Sequence, residues 1–189
     1  MESFLNTLRR SLKDARRVAV LAIGSPLHGD DAAGLLVAEA FRRIRKGRRA
    51  KAARSRTRKP RSPTPPPKLQ RRRIGIFIGE TAPENLTGPI RKFRPSHLVI
   101  LDAADAPGKK PGSISLVRRG LLRGGSSIST HNLPVNILVE YIRQSQPCEV
   151  LILGIQPKSH EFGRPLSAPV REAARRAASG LAAALRAGS

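Results

Sequence analysis

The chain has 189 residues and a formal net charge of +23, from 36 Lys and Arg set against 13 Asp and Glu. This length suits a single α/β domain spanning residues 1–189 with a buried core, and one cysteine, Cys148, excludes a disulfide framework or a thiolate-rich metal site built by this chain alone. The longest apolar runs fall far short of the roughly 20 residues a membrane helix needs, and the N-terminus lacks the apolar core of a secretion signal, so the expectation is a cytoplasmic protein without a membrane span.

The first expected element is an amphipathic helix over residues 2–15, with Phe4, Leu5, Leu8 and Leu12 on one side. "RVAVLAI" reads as the first strand. The turn "GSPLHGDDAAG", Gly24 to Gly34, follows it and leads into a helix with Leu36, Val37, Ala40, Phe41 and Ile44 at helical spacing. That helix is expected to fade into a basic segment. From Arg42 to Arg73 there are 16 Lys or Arg and no acid, so the remaining residues carry a net charge of only +7. The charge belongs to one segment rather than to the whole surface. With almost no large apolar residue and a "SPTPPP" stretch, residues 46–72 read as a disordered Pro/Arg-rich insertion. Its alternative role is electrostatic contact with nucleic acid or an acidic partner through residues 42–73, although it lacks aromatic residues for base stacking.

"IGIFIG" restores strand character, and "ETAPEN" opens a short helix, with Thr81 and Glu84 at capping-box spacing and Pro83 in the first turn. "HLVILDA" is a third strand, apolar enough to be covered on both faces. "GSISLVRRG" reads as a shorter strand, "STHNLPVNILVEYIRQ" as a turn followed by a helix, and "CEVLILGIQ" as a buried strand. Ser167 and Pro169 start a C-terminal helix that is expected to end near Gly188. Alternating strands and helices predict a mostly parallel, doubly wound α/β sandwich. In such sheets ligands bind beyond the carboxyl ends of the strands.

Four residues fall at that edge: Asp30 and Asp31 after the first strand, Asp102 at the end of "LVILDA", and His131 in the turn before the "NLPVNILVEYIRQ" helix. Two carboxylates and an imidazole form an oxygen and nitrogen set suited to a divalent transition metal with positions left open. Each residue also has an ordinary structural account: Asp30 and Asp31 as helix-start acids, Asp102 as a strand terminator, His131 as a helix-entry residue. Spacing alone leaves both open. His28 is placed to line the cleft, whereas His97 at a strand start and Cys148 read as structural; His160 lies in the polar "KSHEFG" loop and is a weaker candidate. No Gly-x-Ser-x-Gly elbow, Walker loop or His-Glu-x-x-His helix is present, and the glycines at 24, 29 and 34 do not match the dinucleotide fingerprint.

Taken together and in order, "AIGSPLHGDDAAG", "GETAPEN", "LVILDAADAPGKKPG", "THNLPVN" and "LGIQP" resemble the hydrogenase maturation proteases. The "APEN", "THNLP" and "GIQP" stretches favour the subgroup that processes the large subunit of a hydrogenase-3-like nickel-iron enzyme. The resemblance implies an α/β three-layer sandwich of phosphorylase/hydrolase-like type around about five strands. It also implies an endopeptidase that removes a C-terminal extension from the large-subunit precursor after nickel insertion. Its metal-contacting residues fall on Asp31, Asp102 and His131, leaving Asp30 for the helix cap. The nickel is supplied by the substrate, and no organic cofactor is implied. Without a nucleophilic Ser or Cys beside a base, attack by water is the expected chemistry. The chain departs from the family pattern at Ser25, where Asn is usual, at Ala32, where Gly is usual, and at Ile78-Gly79-Glu80, where Asp-Gly-Gly is common. The larger acidic side chain at Glu80 is expected either to intrude on the substrate channel or to supply another carboxylate.

Overall fold

Seven consecutive residues, His97–Ala103, are all buried, as a strand covered on both faces requires. In the computed structural model, which describes residues 2–56, 72–118 and 132–186, this strand is β3 and sits at the centre of the sheet. The other strands are β1 (Arg17–Ile23), β2 (Arg73–Glu80), β4 (Ile114–Arg118) and β5 (Glu149–Ile155). Their order is β2-β1-β3-β5-β4; all neighbours are parallel except β4, which runs antiparallel to β5. The expected mostly parallel α/β sandwich is thus present.

Strand alternation divides the core in two. Val18, Val20 and Ala22 of β1, with Val99 and Leu101 of β3, face α1 (Glu2–Leu12), α2 (Ala33–Arg56) and α5 (Ala168–Ala184). These helices contribute Leu8, Leu12, Val37, Phe41, Ala174 and Leu181, and the many alanines of α5 let it pack closely on α2. Ala19 and Leu21, with Leu98 and Ile100, face α3 (Thr87–Phe93) and α4 (Asn132–Ser145), which contribute Ile90, Leu138 and Ile142. Asp102 continues the Leu98–Ile100 row, so it belongs to the face covered by α4.

Several boundaries differ from expectation. The first helix stops at Leu12 rather than residue 15, and the last at Ala184 rather than near Gly188. Thr81 is not a cap: a single 3-10 turn at Pro83–Leu86 has Ala82 at its N-cap and no side-chain cap bond, while Pro83 does occupy the first turn as expected. The largest difference lies in the basic segment. Helix α2 continues to Arg56, so residues 46–56 of the expected disordered insertion are helical. Ala, Arg and Lys are strong helix formers, and their propensity outweighs the low hydrophobicity on which the disorder reading rests. The rest of that insertion, from residue 57 to 71, lies outside the described residues, as do 119–131.

Candidate active site

β1 connects to β2 on one side, and the chain then crosses to β3 on the other, so the sheet changes direction between β1 and β3. A crevice opens beyond the carboxyl ends of two such strands. The first wall is the turn after β1. It begins at Gly24, with φ +130°, where an added Cβ would lie 1.9 Å from the carbonyl oxygen of Asp31. Only glycine admits that close return of the chain. The turn then forms a single 3-10 turn at Gly29–Ala32 that packs against β3 and passes directly into α2. At Gly34, an added Cβ would lie 2.3 Å from the carbonyl oxygen of Leu101 and 2.4 Å from that of Ile23, so the first turn of α2 rests on the ends of both strands.

Asp31 is 5% exposed, and its Oδ2 accepts a hydrogen bond from the Ser25 backbone N–H at 2.8 Å. Asp102, the penultimate residue of β3, is 1% exposed and pairs in register with Gly154 of β5. The structure therefore brings these two buried carboxylates to one edge. His131 lies outside the described residues; α4 begins at the next position and covers the face to which Asp102 belongs. Among the described residues, no group of three His, Cys, Asp or Glu is gathered closely enough to hold a metal ion.

Asp30 has a different task from its neighbour, and from the one expected of it. It does not cap its own helix. Its Oδ2 accepts hydrogen bonds from the Lys158 N–H (2.7 Å), the Ser159 N–H (3.4 Å) and the Ser167 hydroxyl (2.8 Å), and its Oδ1 accepts one from the Ser167 N–H at 2.6 Å. Ser167 is the N-cap residue of α5. The carboxylate thus ties the turn after β1 to the loop after β5 and places a negative charge at the positive end of α5. Nothing local signals this, because the partners are 128 to 137 residues away in sequence.

A second tie joins the β3 and β5 loops. Gln156 Oε1 accepts from the Ala106 N–H at 2.7 Å, Gln156 Nε2 donates to Asp105 at 3.1 Å, and His160 Nε2 lies 3.3 Å from the other Asp105 oxygen. Gln156 stands in the "LGIQP" stretch, but its bonding role has no sequence signal of its own. His28 meets the Ser25 hydroxyl at 2.8 Å through Nδ1 and packs edge-on against Phe162, with ring centroids 5.3 Å apart. Glu80 is solvent-exposed in the left-handed region at φ +47°, and its carbonyl accepts from the Gly24 N–H at 3.0 Å. Its backbone therefore keeps a conformation that glycine favours.

His97 and Cys148 lie at the opposite, amino edge of the sheet, which fits their structural reading. His97 is buried, with Nδ1 3.0 Å from the Ser96 hydroxyl. Burial pushes the Cys148 thiol up to about 11, so it stays protonated near neutrality.

Three kinds of similarity accompany this geometry. A family model described as Hydrogenase maturation protease matches residues 68–184. The hydrogenase 3 maturation protease of Escherichia coli K12 is 30% identical over 154 residues, covering 82% of this chain and 81% of that protein. A putative hydrogenase maturation protease of Methanocaldococcus jannaschii is 28% identical over 160 residues, covering 85% and 83%. Among solved structures, a NiFe hydrogenase maturation protease from Thermococcus kodakarensis superposes with a TM-score of 0.73 at 26% identity, over 95% of this chain and 99% of that one.

Proposed function

The chain belongs to the hydrogenase maturation proteases, and from that premise we propose that it is the endopeptidase that trims a C-terminal extension from a nickel-iron hydrogenase large-subunit precursor once nickel is in place. The observation that carries this reading is the pair of buried carboxylates, Asp31 and Asp102, at the switch between β1 and β3. Carboxylates at such an edge are hard oxygen ligands of the kind a divalent cation arriving with the substrate accepts. In this proposal Asp31, Asp102 and His131 meet the precursor's own nickel and leave its remaining coordination positions to the precursor. The protein needs no resident metal and no organic cofactor. Recognition becomes reaction by placement: docking the metal fixes the adjacent peptide at the edge, where a water molecule attacks the scissile carbonyl. The structure does set one hydroxyl beside a base, Ser25 Oγ 2.8 Å from His28 Nδ1, which the sequence reading did not expect; in this proposal that pair, with the Leu27 N–H, shapes the turn, and water remains the nucleophile.

Incubation with nickel-loaded precursor, followed by mass measurement, tests the reading. Loss of a C-terminal peptide from the nickel-loaded form, but not from the nickel-free form, is the expected result. No mass change beside an active control protease overturns it.

A second reading attaches to the end of α2, where every residue described from 46 to 54 is solvent-exposed and no acid occurs. A basic helix projecting in this way would serve contact with a polyanion such as nucleic acid or an acidic protein. Deleting residues 46–70 separates the two: trimming survives under the first reading, whereas partner binding is lost under the second.

A further inference from the structure

Beside the Asp31 turn, the molecule presents apolar surface to water where its own folding gains nothing from it. Leu27 is 58% exposed and Phe162 is 71% exposed. Single exposed apolar residues are common and require no explanation. These two differ in how they are held. The Gly163 N–H donates to the Leu27 carbonyl at 2.8 Å, joining the backbones next to both side chains. Phe162 rests edge-on against His28, His28 is held by the Ser25 hydroxyl, and the Ser25 N–H donates to the Asp31 carboxylate. Beneath them, the Asp30 carboxylate anchors the loop that carries Phe162. The apolar pair is therefore connected to Asp31 through a short series of direct contacts.

Two further features describe what the pair is suited to receive. A recess of about 320 Å³ is lined by Gly29 and Asp30 of the turn that carries Leu27 and by Lys158, Glu161 and Arg164 of the loop that carries Phe162. Two of its charged residues pair with each other, Arg164 Nε lying 2.7 Å from Glu161, and the Asp30 carboxylate is taken up by the Lys158 and Ser167 N–H groups. Two fixed apolar side chains beside this polar recess favour a bulky apolar group at the lip itself. Because both loops are already tied in place, docking there carries little ordering cost.

We propose that Leu27 and Phe162 form a specificity lip that receives a bulky apolar side chain of the large-subunit precursor, on the stretch flanking the scissile bond. This rests on the trimming reading above, and the continuity of the lip with the Asp31 turn is what assigns the precursor as its occupant. The lip selects the peptide, while the acids engage the metal.

The test compares the wild-type protein with a Leu27→Ser/Phe162→Ser double variant, using Tyr141→Ser in the third turn of α4 as a control for loss of exposed apolar surface. Trimming of nickel-loaded precursor gives KM and kcat. Affinity for the same precursor is measured separately in an Asp102→Asn background that does not cut. The expected result is a rise of at least about tenfold in KM and in Kd for the double variant, with kcat within about twofold and the Tyr141 control unchanged. An unchanged Kd overturns the lip. So does a wild-type dimer that the double variant dissociates while its affinity for the precursor stays intact, since the occupant is then a second copy. If the wild type binds precursor but never cuts it, the trimming reading fails, and the Kd comparison still decides the lip.

Discussion

The two ends of α5 are each held by a side chain from elsewhere in the chain, and they are held differently. At the N-terminal end, the buried Asp30 carboxylate accepts from both the N–H and the hydroxyl of Ser167. At the C-terminal end, Arg48 donates to the Ala182 carbonyl at 3.1 Å, and Arg72 donates to the Ala184 carbonyl at 3.3 Å. Both arrangements complement the helix dipole, with an anion at the positive end and cations at the negative end. The anion is sealed from water beside the candidate site, whereas the two guanidinium bonds are only partly buried. The same dipole argument therefore carries different weight at the two ends, because hydrogen bonds to a buried charge are strong and those nearer solvent are more screened.

This contrast can be broken in order of expected effect. The largest change separates the two adjacent aspartates at the acidic end. Asp31→Asn or Asp102→Asn is expected to lower trimming by at least about 100-fold, as removal of a charge that engages the reacting region does. Melting temperature should stay within a few degrees, because Asn keeps an acceptor oxygen. Precursor mass and thermal denaturation read these two quantities independently.

Asp30→Ala is the converse. It removes the shared acceptor of four part-buried hydrogen bonds and is expected to destabilise the fold by about 3 kcal/mol. For a chain of this size, that corresponds to a melting temperature about 6–12 °C lower. A change under 2 °C would mean that the tie between the β1 and β5 loops contributes little.

The amino edge of the sheet supplies a pH-dependent control remote from both helix ends. Burial raises the Cys148 thiol from 9.0 to about 11 in the folded chain, so the unfolded chain loses its proton first. Stability is therefore expected to fall as pH rises from about 9 to about 11, and Cys148→Ala should flatten that part of the profile in denaturant titrations.

The smallest effect belongs to the basic end. Arg48→Ala is expected to cost at most about 1 kcal/mol, and less in high salt, as followed by urea unfolding at two ionic strengths. A loss as large as that from Asp30→Ala would remove the distinction between the two ends.

The sequence carries the framework because the framework rests on local signals. "HLVILDA" is apolar throughout and becomes the central strand, while the alternation of strands and helices already places Asp31 and Asp102 at one edge. What it does not carry are bonds between distant segments. Asp30 looks like a local cap because Asp before a helix usually is one, and only the folded chain brings Ser167 to it. Gln156 and Phe162 are ordinary residues until the loops around them meet. The helical residues 46–56 were legible by propensity, but composition pointed the other way. His131 lies outside the described residues, so its expected role rests on the family resemblance and on its position just before α4.

Helix α2 starts one residue after the Gly29–Ala32 turn and runs for 24 residues, about 36 Å at 1.5 Å per residue. Its near end is fixed by the chemistry, while its far end merges into a segment of unusual composition. Such a rod acts as a standoff: cargo attached at its tip, whether a fluorophore, an affinity tag or a second domain, stays a helix length from the cutting edge. The insertion point therefore offers a fusion site for following precursor processing with the lip and the acids unobstructed.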